Sequence, residues 1–77
     1  MAFIGPLRLF YIRAQVRAYL LAVGEFQTFE EAFGPLREES IALSASVGSS
    51  AVRSIVEQCC SDAGIEFVDV GLEAAAP

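Results

Sequence analysis

Apolar positions run almost without interruption from Phe3 to Val23, thin out between Gly24 and Ser40, and return in two groups, Ile41–Val47 and Val52–Val70. In the first run Leu7, Leu9 and Tyr11 alternate with Arg8, Phe10 and Ile12. This pattern predicts a strand buried on both faces, as parallel-sheet strands are. Val16, Tyr19, Leu20 and Val23 follow at i, i+3, i+4 and i+7, one face of a helix. Gly24 stands where a left-handed residue would close that helix, and Glu25-Phe26 begins the next extended stretch. A continuous helix from Pro6 to Val23 is the alternative reading of the same residues.

A second segment follows the same plan. Ile41-Ala42-Leu43-Ser44-Ala45-Ser46-Val47 alternates apolar with small or polar residues and predicts a short strand. Gly48-Ser49-Ser50 reads as a turn ending in helix N-cap residues. Val52, Ile55, Val56, Cys59, Cys60 and Ala63 trace a helical stripe, Gly64 ends it, and Ile65–Val70 alternates with period two. Strand, helix and strand in that order form the βαβ unit. Between the segments, Thr28 with Glu30 and Glu31 predicts a capped short helix ended by Gly34-Pro35. The expectation is one small α/β domain over residues 1–77. Its parts are a βαβ-like unit over 7–29, a second over 41–71, and a tail over 72–77. The alternative is a mainly helical small subunit.

Composition adds a partner to this picture. Of the 77 residues 55% are apolar, whereas a chain this short hides only roughly 60% of the surface its unfolded form exposes. So much apolar surface predicts association with other protein subunits. Charge is segregated as well. Residues 1–24 carry +3 from Arg8, Arg13 and Arg17 with no acid, and residues 25–77 carry −8. Arg8, Arg13 and Arg17, interleaved with Tyr11 and Tyr19, are therefore the candidate partner-binding residues, facing an acidic protein surface or anionic lipid headgroups. An overall charge of −5 without lysine argues against nucleic acid. With no histidine and no Cys-x-x-Cys, no metal site is expected.

Three arginines interrupt the N-terminal apolar run, which makes it a poor membrane span and a poor secretory signal. An acid-free, arginine-bearing, aromatic stretch also describes an interfacial helix or an organelle transit peptide. The expected setting is intracellular, with mitochondrion or plastid as the organellar options and a membrane-associated complex as one form of assembly.

Chemistry is sparse. Cys59 and Cys60 are adjacent, so on a helix they point about 100° apart and suit neither one metal nor an unstrained bridge. Their position late in the helix disfavours a reactive thiolate, and burial as small apolar residues is expected. Ser49 and Ser50 lie at a helix N-terminus, where N-capping or binding of an anion or a thiol ligand could occur. No imidazole is present to activate either serine. No catalytic residue is assigned.

Arg13-Ala14-Gln15-Val16-Arg17-Ala18-Tyr19-Leu20-Leu21-Ala22-Val23-Gly24-Glu25-Phe26 resembles the first helix and second strand of glutathione transferase N-terminal domains. Ala63-Gly64-Ile65-Glu66-Phe67-Val68-Asp69-Val70 is similar to the helix exit of that family, and Ser46 to Arg53 to a thioredoxin-fold strand-to-helix turn. The resemblance implies a thioredoxin-like fold, with Tyr11, or Ser46, Ser49 or Ser50, at the family's activating position and glutathione as ligand. The cis-proline half of that domain and the helical domain that follows it have no counterpart here. The functional expectation is thus a non-catalytic accessory subunit, the alternative a glutathione- or thiol-related enzyme fragment completed by a partner. With no catalytic residue assigned, no cofactor is expected, and glutathione enters only through that alternative.

Overall fold

Between Pro6 and Gly24 the chain has no helix breaker, and proline in a first turn lacks only an N–H that would be unpaired there anyway. In the computed structural model, which describes residues 5–68, this stretch is a single helix, α1 (Gly5–Ala22). The end of α1 is fixed at Gly24, whose φ of 87° suits glycine. Glu25 N–H donates to the Leu20 carbonyl at 2.9 Å and Gly24 N–H to that of Leu21 at 3.2 Å, the paired bonds of a Schellman end.

The chain then enters α2 (Phe29–Phe33), capped by Thr28, whose hydroxyl oxygen accepts from Glu31 N–H at 3.1 Å. Glu31 in return accepts from Gln27 N–H at 2.6 Å, a reciprocal arrangement close to a capping box. A 3-10 turn (Gly34–Leu36) leads directly into α3 (Arg37–Val47). Gly48 alone separates α3 from α4 (Ser49–Ala63), at φ 98° and ψ 142°, a corner open essentially to glycine. Helix α4 closes at Gly64 with the same pair of bonds seen after α1.

Three principal helices, α1, α3 and α4, with the short α2 against α1, make the domain. Among the described residues there is no strand. The core joins Phe10, Ala14 and Ala18 of α1 to Phe29, Ala32 and Phe33 of α2, Leu36, and Val52, Ile55, Val56, Cys59 and Cys60 of α4. Phe29 stacks on Phe33 at 4.5 Å between centroids. Ala14 and Ala18 let α1 approach its neighbours closely, and Phe10 fills the space at one end. Ser40 and Ser44 serve the same purpose on α3. The Ser44 hydroxyl donates to the Ser40 carbonyl at 2.8 Å, so burial leaves it paired.

The α/β expectation is therefore corrected to an all-helical domain, and the thioredoxin-like arrangement with it. Leu7–Ile12 is the first half of α1, as in the continuous-helix alternative. Ile41–Val47 is helical because its alternation rested on alanine and serine, which suit a helix face as well as a strand. Residues 65–68 belong to neither a helix nor a strand. Ile65 and Phe67 pack on the core while Glu66 and Val68 face out, so the period of two is real and a strand does not follow from it. Asp69, Val70 and the tail over 72–77 lie outside the described residues, as does the end of the unit expected over 41–71.

Candidate functional site

Successive residues of α1 turn by about 100°, which places its apolar side chains in two stripes. Leu7, Phe10, Tyr11, Ala14, Ala18 and Leu21 face the core. Leu9, Ile12, Val16 and Tyr19, with Val23 in the turn just past the end of α1, lie roughly 180° away and remain 54%, 45%, 52%, 61% and 53% exposed. Their spacing of 3, 4, 3 and 4 is that of the a and d positions of a heptad. A helix apolar on all sides is ordinarily buried on all sides; here the fold covers one.

Val16, Tyr19, Leu20 and Val23, read from the sequence as one helix face, turn away from the core, and of these only Leu20 is half-buried. The pattern picked out this face rather than the inward one for a physical reason. The inward stripe is built on Ala14 and Ala18, which carry little hydrophobicity yet permit the close helix contact, so the larger residues dominated the pattern. Leu9 and Ile12, assigned to a strand, complete the exposed stripe, and the 3-4 spacing from Leu9 to Val23 was the signal available.

A shallow groove of about 340 Å³ borders the stripe, lined by Ile12, Arg13, Val16, Arg17, Leu20, Phe26 and Leu36. Arg13 pairs with Glu39 of α3 at 2.8 Å. Arg17 donates to the Ala32 carbonyl at 3.0 Å, and its guanidinium lies 5.5 Å from the Phe26 ring centroid. Both arginines thus brace α1 against α2 and α3 at the groove edge, through Glu39 and a backbone carbonyl. Glu30 is held by Arg37 at 2.7 Å. Arg8 is exposed on the opposite side of the stripe. Tyr11 is half-buried and accepts from the Gln15 amide at 3.0 Å, whereas Tyr19 projects from the stripe itself. Of the five candidate partner-binding residues, Tyr19 lies on the exposed face, Arg8 and Arg13 flank it, Arg17 lies deeper at the groove, and Tyr11 turns toward the core.

Ser49 and Ser50 belong to the first turn of α4, and the N-cap is Gly48, without a side-chain cap bond. Their expected capping role is corrected accordingly. Ser49 is half-buried and Ser50 exposed. Cys59 and Cys60 are both buried. The Cys59 thiol points at the Tyr11 carbonyl at 3.8 Å, tying α4 to α1. Burial pushes the Cys59 thiol up to about 12, aided by the negative charge of Cys60 and Asp62. Burial, with Glu57 second, pushes Cys60 up to about 11. Neither thiol is poised as a nucleophile at neutral pH.

These thiols set an alkaline limit on stability. Both stay protonated in the folded chain and ionise near 9.0 when it unfolds. The unfolded chain therefore binds fewer protons above that pH. Their contribution is complete below about pH 9 and is lost as pH rises toward 11, at up to about 1.4 kcal/mol per pH unit per thiol. Urea unfolding from pH 8 to 10.5 is expected to show a steeper decline for the native chain than for the Cys59→Ala/Cys60→Ala variant. Parallel curves would contradict the burial of the thiols.

Comparison with protein-family models, curated proteins and solved structures finds no match to this chain. Among the described residues no cluster of three or more side chains could hold a metal ion, and no helix is long and apolar enough to cross a membrane.

Proposed function

We propose that this protein is a non-catalytic interaction module, an accessory subunit that works by docking the outer face of α1 against a partner. The exposed heptad stripe of Leu9, Ile12, Val16, Tyr19 and Val23 carries the proposal. On the order of 500 Å² of apolar surface from these side chains would sit near the top of what a monomer's largest patch presents. The stripe lies on a helix closed by the Schellman bonds at Gly24, whose other side is anchored by Phe10, Ala14 and Ala18, so it is a preformed surface. The glutathione-related alternative drew on a thioredoxin fold and loses its basis with it. Arg8 and the Arg13–Glu39 pair border the stripe and give its two edges different charge.

The test is a double substitution, Val16→Glu with Tyr19→Glu. Both positions face solvent, so helical content and melting temperature in dilute solution are expected to stay near the native values, since surface changes usually stay within about 0.5 kcal/mol. Association is expected to be lost. A variant that associates as the native chain does would remove the α1 face from the function.

A further inference from the structure

We infer that the occupant of the α1 face is a second copy of this chain, its α1 packed antiparallel about a two-fold axis at Val16. The inference rests on the docking role proposed for that face. In the heptad frame set by Leu9, Ile12, Val16, Tyr19 and Val23, Arg8 is a g position and Arg13 the following e position. A parallel pair would bring each Arg8 beside Arg13 of the other copy, whose charge the Glu39 carboxylate already takes up at 2.8 Å, and would offer Arg8 no acid from α1. Antiparallel pairing about Val16 sets Leu9 against Val23 and brings Ile12 within one residue's rise, about 1.5 Å, of Tyr19, so each apolar residue of the stripe meets another.

The same register makes the charges complementary. Arg8 of one copy comes to the carboxyl-terminal end of the other copy's α1, where the helix dipole is negative and the exposed Glu25 follows the Gly24 turn. Symmetry repeats the contact. Tyr19 of each copy meets Ile12 of the other on the Arg8 edge of the stripe, because an antiparallel two-fold brings like edges together. Such a contact is isologous, the commonest form of soluble oligomer. Two stripes bury on the order of 1,000 Å², and the Arg8 and Arg13 stems along their edges bring the total toward the 1,200 Å² or so of a specific interface.

Cysteine cross-linking decides the matter, because the native Cys59 and Cys60 are buried and do not compete. Val16→Cys is expected to form a disulfide-linked dimer at least about tenfold faster than Ile41→Cys, an exposed position on α3, because pairing raises the local thiol concentration. Leu9→Cys alone should cross-link no faster than Ile41→Cys, and Leu9→Cys/Val23→Cys should give doubly linked dimers. Equal rates at positions 16 and 41, or rapid linkage of Leu9→Cys alone, would overturn the inference. The Val16→Glu/Tyr19→Glu variant separates its failure from that of the docking role. A Val16→Cys chain that does not cross-link, together with native binding to phosphatidylglycerol vesicles that the glutamates abolish, overturns self-pairing and leaves the docking face standing. Absence of cross-linking, with glutamates that alter neither vesicle binding nor sedimentation, overturns both.

Discussion

Replacing Phe10 with alanine is expected to remove a large share of the domain's stability, about 3–5 kcal/mol, while the same change at the adjacent Leu9 leaves the fold intact in dilute solution. Phe10 is fully buried between α1 and the rest of the core, and Leu9 is 54% exposed on the outer stripe. Truncating a buried phenylalanine costs about 3–5 kcal/mol, combining lost transfer energy with the cavity left behind. A chain of this length commands only about 4–12 kcal/mol in total. The Leu9 change falls in the range of surface substitutions, about 0.5 kcal/mol or less. Urea denaturation followed by circular dichroism would measure both. Equal losses at the two positions would mean that α1 is rotated from the orientation described.

Ile55→Ala is expected to cost about 2–5 kcal/mol. Ile55 lies on the buried face of α4 with Val52, Val56, Cys59 and Cys60. Cys59→Ala removes less volume and should be milder. Glu57, on the opposite side, accepts from Arg53 at 3.2 Å across one turn, an exposed pair worth about 0.3–0.5 kcal/mol. Glu57→Ala should therefore be nearly silent. Equal tolerance at positions 55 and 57 would place the wrong face of α4 in the core.

Helix α4 was legible from the sequence because its buried residues are large and its outer face is polar. The stripe Val52, Ile55, Val56, Cys59, Cys60 and its stop at Gly64 stand in the structure where the pattern put them. Thr28 with Glu30 and Glu31 was legible for a different reason, since capping is local chemistry that needs no knowledge of the fold. The strands were misread where periodicity is ambiguous. A run that is apolar at nearly every position, as over Leu7–Ile12, fits a buried strand and a helix covered on both sides equally well. Length decides between them, and the eighteen residues of α1 without a breaker were the better guide. The resemblance to glutathione transferases followed from the same ambiguity, because Arg-Ala and Gly-Glu-Phe mark helix ends in many settings.

The interface was legible in part. Excess apolar composition called for a partner, and the surface that offers itself is the side of α1 opposite the core. Charge segregation pointed to the arginines, yet Arg13 and Arg17 are engaged with Glu39 and the Ala32 carbonyl. Sequence separation concealed those contacts, since Glu39 and Ala32 reach α1 only through the packing of α2 and α3. The stripe itself escaped notice because exposed large residues mimic a core pattern when the middle of the core face of α1 is made of Ala14 and Ala18.

Cysteine accessibility along α1, in dilute and then concentrated solution, tests the two-faced helix most directly. Single cysteines at Leu9, Ile12, Ala14, Val16, Ala18 and Tyr19 would be introduced into the Cys59→Ala/Cys60→Ala chain and timed against a thiol reagent. In dilute solution positions 9, 12, 16 and 19 are expected to react at the rate of the unfolded chain, with 14 and 18 strongly protected. On concentration, protection should spread to 9, 12, 16 and 19. Protection alternating with period two over residues 7–12, or a stripe equally reactive at every concentration, would contradict a helix with one face in the core and the other in an interface.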